Sequence, residues 1–145
     1  MTSIIKYIAR SLAILLLITI SYRGAAQNLR NRADSPIGTI DRSGMVRDAH
    51  YNTFCSFESD YSIRDAHHTI LGYLQGGRIQ DTAHHTLGRI QHNGTVQDGN
   101  GNFIGIIQKD GRVEDVNHNH IGNVRLEDVE IERAAVVYFF FKLPR

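Results

Sequence analysis

The chain of 145 residues has one cysteine, two prolines and no tryptophan. A lone Cys55 forms no internal disulfide, even in an oxidising compartment, so burial and hydrogen bonds alone must hold the fold. Charge of one sign is also missing. Sixteen basic residues face fifteen acidic ones, and that balance argues against a nucleic-acid or acidic-membrane partner, which needs a basic face. No phosphate loop, dinucleotide fingerprint or Gly-x-Ser-x-Gly elbow occurs, and Gly-rich stretches such as Gly99 to Gly105 lack the helix that phosphate-binding motifs require. The reading is therefore of a non-enzyme.

The longest apolar run, Ser11 to Tyr22, is shorter than the roughly 20 residues that span a bilayer. Lys6 and Arg10 precede it, and Gly24-Ala25-Ala26 follow. Charged, apolar and small, in that order, is the layout of a secretory signal peptide. Residues 1–26 are read as that signal, with a retained anchor as the alternative. Cys55 lies too far away to be a lipidated cysteine after the cleavage point. The product is then exported, to the periplasm or outside the cell, with no stable membrane span. Cleavage removes Lys6, Arg10 and Arg23 but no acid, leaving thirteen basic against fifteen acidic residues.

What the rest has is a repeat. Ile37-Gly38-Thr39-Ile40, Phe54-Cys55-Ser56-Phe57, Leu71-Gly72-Tyr73-Leu74, Leu87-Gly88-Arg89-Ile90, Ile104-Gly105-Ile106-Ile107 and Ile121-Gly122-Asn123-Val124 share one frame, spaced by 17 residues with a single step of 16. Column two is Gly in all but one copy. Column four is apolar, and so is column ten: Val46, Ile63, Ile79, Val96 and Val113. Column twelve is Asp in the five complete copies: Asp48, Asp65, Asp81, Asp98 and Asp115.

Each copy reads as a β-hairpin. Gly44, Gly94 and Gly111 close three-residue turns of the type I plus bulge form, while Gly76-Gly77 suits a two-residue primed turn in the copy that is one residue shorter. Both turns keep columns four and ten opposite each other. Tyr61 stands where that glycine belongs, which predicts a distorted second turn. The column-twelve Asp starts an Asx-turn into the next hairpin. The column-two Gly marks a bulge or a close backbone approach.

One hairpin is marginal in water, so the copies must share a core, and closure protects their edges. The expectation is an all-β, closed, pseudo-five-fold barrel- or flower-like unit over residues 37–145, with residues 27–36 as an N-terminal linker. The incomplete sixth copy at Ile121 pairs with the first to close the ring. The apolar tail 134–141 is expected as a strand that seals the core, with a buried helix as the alternative, since so short a run has no diagnostic period. Exposed, it would be an aggregation hazard.

The motif Ile-Gly-x-Ile-x-x-x-Gly-x-Val-x-Asp, five times over, behind a signal and before an aromatic tail, resembles the five-fold β-flower proteins, small exported proteins of Bacteroidota. The resemblance spans about residues 37–141. It implies the fold and the compartment, and it carries over no catalytic residue.

Histidine is in excess: eight residues, all but His92 in the connections between hairpins. His67, His68, His84, His85, His118 and His120 are candidate ligands for Zn²⁺ or another transition metal, if the rim brings them together. The plainer reading is that His, like Asn and Asp, fills turn positions of positive φ. Asp98-Gly99-Asn100-Gly101-Asn102 starts like a calcium loop, but Phe103 and Lys109 stand where that motif needs Gly and Glu. No cofactor is otherwise expected. The functional expectation is an exported scaffold or binding module for a protein, peptide or glycan, with a metal-binding protein as the alternative and a hydrolase-type enzyme a distant third.

Overall fold

The computed structural model describes residues 28–143, apart from residue 128. The segment read as a signal peptide lies outside the described residues. Twelve strands form one closed antiparallel barrel: β1 Leu29–Asn31, β2 Pro36–Ile40, β3 Met45–Asp48, β4 Thr53–Phe57, β5 Ser62–Asp65, β6 Ile70–Gln75, β7 Arg78–Gln80, β8 Thr86–Ile90, β9 Thr95–Asp98, β10 Phe103–Ile107, β11 Arg112–Asp115 and β12 His120–Val124. They lie around the ring in chain order, and β12 closes on β1.

The five tandem hairpins are β2–β3 to β10–β11. Within each, columns four and ten pair, as Ile40 with Val46 and Ile107 with Val113. The short third copy keeps this register, Leu74 against Ile79. Between hairpins the register shifts by a bulge, for example at Val113/Glu114. A bulge bends a strand and sharpens its twist, which supplies the curvature that closes so short a barrel.

The ring holds a sixth hairpin that the chain does not build continuously. β12 supplies its first strand and β1 its second, with Val124 opposite Leu29 and Gly122 opposite Asn31. Leu29 thus occupies column ten and Asn31 column twelve. Part of the expected linker is therefore the missing half of the sixth repeat. The first and last strands meet inside one hairpin.

The column-ten side chains Leu29, Val46, Ile63, Ile79, Val96 and Val113 are all fully buried. Burying each stabilises the fold by about 1.5–3 kcal/mol. The rest of the core comes from the tail, which corrects the expected strand. Residues Ile131–Ala135 form a short helix, α1, that runs into a π-helical turn over Val136–Phe140. Every edge in the barrel is already paired, so an extended segment would have no ladder to join. A helix satisfies its own backbone and can enter a closed barrel.

The tail's residues match the wall repeat by repeat. A Cβ built on Gly122 would meet the Tyr138 ring; on Gly105, the ring of Phe139; on Gly88, that of Phe140; on Gly72, that of Phe141; on Gly38, the Leu143 side chain. Successive residues of the plug serve successive hairpins. An α-helix turns each residue by about 100°, whereas a ring of six hairpins asks for a sixth of a turn. The wider π-turn rotates each residue less and comes closer to that demand. Its i to i−5 bond is made by the Phe141 amide to the Val136 carbonyl, 2.8 Å. The series skips one hairpin. There the plug offers Lys142, which is exposed, and the wall offers Cys55, fully buried. Where the plug sends no buried side chain, the wall residue carries one of its own. Burial pushes the Cys55 thiol up to about 12, so it is an inert core group.

Candidate functional site

A barrel filled by its own tail leaves its two ends and its outer wall for function. At one end lie the turns inside the repeats. Gly44, Gly94 and Gly111 have φ of 93°, 87° and 87°, and Gly76 and Gly77 are both positive, as a type I′ turn requires. Tyr61 makes the same turn at φ 67°: its amide bonds to the Glu58 carbonyl and the Glu58 amide to that of Ser62. The expected distortion is absent. The turn keeps the hydrogen bonds of its counterpart around Gly44, with the tyrosine in the left-handed conformation.

α1 covers this end. Arg133 pairs with Glu130 at 3.1 Å and stacks over the Phe57 ring at 5.7 Å. A cleft of about 250 Å³ lies between α1 and the second and third hairpins, lined by Phe57, Glu58, Tyr61, Leu74, Glu130 and Glu132 among others. Neither it nor the shallower clefts near Arg42, Asn28 and Asn93 is lined by a histidine. His92 stands at this end, 3.9 Å from Glu132.

At the other end the turns join one hairpin to the next. Each begins at column twelve, where one carboxylate oxygen accepts two backbone amides: His50 and Asn52 on Asp48, His67 and Thr69 on Asp65, Ala83 and His85 on Asp81, Asn100 and Asn102 on Asp98, and Asn117 and Asn119 on Asp115. Asn31 does the same for Ala33 and Ser35 with its amide oxygen. These bonds favour the charged form, so all five carboxyls are held below the usual aspartate range. The largest cause is the side-chain amide of Asn52, Asn102 or Asn119 at Asp48, Asp98 and Asp115, and the backbone amide of Thr69 or His85 at Asp65 and Asp81.

The fourth residue of each turn is left-handed: Asp34, Tyr51, His68, His84, Gly101 and His118. Three of the eight histidines thus stand where an L-residue needs local support to sit. That support comes partly from column eleven, which the sequence reading passed over. Arg30, Arg64, Gln80 and Gln97 each donate to the carbonyl of the left-handed residue, at 2.7–3.0 Å. The signal was a column of long polar side chains, always one before the Asp.

The histidines engage their own turns. His85 lies 3.1 Å from Asp81, His118 3.6 Å from Glu114, and His120 3.3 Å from Asn123. His84 stacks on Tyr73, its ring 4.5 Å away, and His118 tilts against Phe103. His67 and His68 share one turn about Asp65 and are both exposed. Among the described residues, no three His, Cys, Asp or Glu are grouped so as to hold one metal ion, and no helix is long and apolar enough to cross a membrane.

A family model described as 5-fold beta-flower protein matches residues 26–142, so the chain belongs to that family. No curated protein and no solved structure matches it.

Proposed function

We propose that this member of the five-fold beta-flower family is an exported, non-catalytic binding or scaffold module that recognises its partner with the ends of the barrel. The observation that carries this reading is the filled lumen. Tyr138, Phe139, Phe140 and Phe141 occupy the space against the column-two glycines, where a barrel that encloses a ligand would be open. Surface turns held by side-chain hydrogen bonds are a rigid base for presenting contact residues.

Transition-metal binding through the histidine turns is the weaker reading, because the imidazoles come at most two to a turn and, among the described residues, no third ligand group joins them. A melting series tests both. The processed protein from a secreting host is dialysed against chelator, then heated with and without Zn²⁺, Cu²⁺, Ni²⁺ and Ca²⁺. The expected result is no saturable rise with any ion. A rise of several degrees that vanishes when His67, His68, His84 and His85 become Ala would overturn the proposal in favour of a metal protein. Export is tested on the same material: its first residue should be Gln27, and an intact leader would contradict that part.

A further inference from the structure

We infer that the histidine-bearing end of the barrel is a pH-gated docking face for a polyanionic glycan. The inference rests on the binding-module reading and names its partner class. It starts from an asymmetry that the near-zero overall charge conceals. The turn segments at this end, columns eleven to seventeen of all six hairpins, contain Arg30, Arg32, Arg47 and Arg64 against seven carboxylates: Asp34, Asp48, Asp65, Asp81, Asp98, Glu114 and Asp115. With neutral imidazoles the face is net negative. The same segments hold seven of the eight histidines, so full protonation makes it net positive by a similar margin.

Histidine is the side chain whose ordinary charge change falls between pH 5 and 8. The five column-twelve carboxylates meanwhile stay ionised, because each is tied to its turn amides. The opposite end sets Asp41, Glu58, Asp60, Asp110, Glu130 and Glu132 against Arg42, Arg78, Lys109, Arg112, Arg125 and Arg133, and with His92 as its one histidine its charge changes little. Acidification therefore polarises the barrel along its axis.

The groups around each imidazole permit this. His50 faces Asp48; His67 and His68 face Asp65, with Arg64 bonded to the His68 carbonyl; His85 faces Asp81; His118 faces Glu114 and Asp115, and Glu114 is also held by Arg112 at 2.8 Å. His84 and His120 meet Tyr73 and Asn123. The rings stay in reach of solvent: His85 and His118 side chains are 79% and 71% exposed.

The form of the face selects the class of polyanion. Most charges sit on separate turn tips around a ring, with Arg30, Asp34 and Glu114 reaching clefts on the outer wall, so the match is a flexible polymer that touches several turns at once. Between the imidazoles stand exposed amides and hydroxyls, Asn100, Asn117 and Thr82, and the exposed ring of Tyr51. These suit the hydroxyls and ring faces of sugars. An anionic bilayer would be met by a contiguous apolar strip or an amphipathic helix. Here the exposed large apolar side chains are scattered, with Tyr61 at the opposite end. A single-stranded nucleic acid would be met by several exposed stacking aromatics, and here Tyr51 is the exposed one, Tyr73 and Phe103 being half-buried against His84 and His118.

The test uses processed full-chain protein and dextran sulfate, with neutral dextran as control, by calorimetry at about pH 5.5 and pH 7.5. Binding should tighten by about tenfold or more at the lower pH and weaken with salt. The variant His67→Asn, His68→Asn, His84→Asn, His85→Asn should lose most of the tightening. Asn fills the positions of His67 and His85 in the fourth and fifth repeats, and at the left-handed positions of His68 and His84 it is among the residues that accept a positive φ, so the turns keep their form. His50→Asn with His120→Asn is a second, lighter variant that should lose part of it, and His92→Asn should lose none. Equal binding at both pH values, or tightening that survives the fourfold variant, overturns the inference while leaving a module for another ligand. Stronger binding at pH 5.5 to phosphatidylglycerol vesicles or to single-stranded DNA than to dextran sulfate overturns the glycan assignment.

Discussion

The Tyr138 hydroxyl sits in the seam between the first and last strands, accepting the Arg30 amide at 3.1 Å and lying 2.7 Å from the Arg30 carbonyl and 2.8 Å from that of Asn123. Arg30 is on β1 and Asn123 on β12, the strands of the split hairpin. The plug is thus also a clasp, bonded where no covalent turn joins the strands. The only tyrosine in the run of four rings falls at the only hairpin made from two distant pieces of chain.

Tyr138→Phe should keep the fold and cost about 1–3 kcal/mol, because the ring stays buried while the backbone groups in the seam lose their partner. Chemical denaturation gives the value. A loss below about 0.5 kcal/mol would mean that the strands alone hold the seam.

The turn glycines should differ by end. At Gly94 a side chain would meet the Ile107 carbonyl, whereas at Gly101, with a similar φ, nothing lies within 4 Å. Gly101→Ala should therefore cost only the left-handed conformation, about 1–2 kcal/mol, and Gly94→Ala clearly more. Tyr61→Gly should come out neutral or stabilising, since relief of the left-handed strain offsets the glycine's added chain entropy. Melting temperatures of the three variants settle the order.

Acid should unfold the barrel through its column-twelve carboxylates. Their folded values are lowered, so the stabilisation is complete above the unfolded aspartate value of about 3.9 and is lost as pH falls through the folded values. Melting temperatures should hold from neutral pH to about pH 4 and then drop. Asn31 does the same work with an amide oxygen. Asp115→Asn should accordingly melt near the parent at pH 7 and lose less below pH 4, while Asp115→Ala melts lower at both. An Asn variant as weak as the Ala variant would contradict this account of the turn.

The repeat was legible because its constraints are local. A column of apolar residues facing another, a glycine at a positive φ and an Asp bonding two amides each leave a fixed mark at a fixed spacing. What escaped was set by distant parts of the chain. β1 carries only the second half of a repeat, with Asn31 in place of Asp, and its partner lies at the far end of the sequence. The tail's helical form follows from a barrel with no free edge, a property of the closed ring that eight apolar residues do not encode by their period. The column-eleven ties could have been read from the pattern, once the left-handed residue four positions on was suspected.

The histidines were half legible in the same sense. Their clustering in the inter-hairpin turns is a matter of counting columns. Whether they converge depends on the width of the ring, which spreads His67, His84 and His118 over three separate hairpins.

The claim on which the rest depends is that the tail fills the lumen, ring against glycine. A double-mutant cycle on Gly105 and Phe139 tests it most directly. Gly105→Ala alone should destabilise, because the new Cβ lands on the Phe139 ring. Combined with Phe139→Ala, it should cost at least about 1 kcal/mol less than it does alone. Costs that simply add would contradict the account, since they would mean that ring and glycine do not share the space.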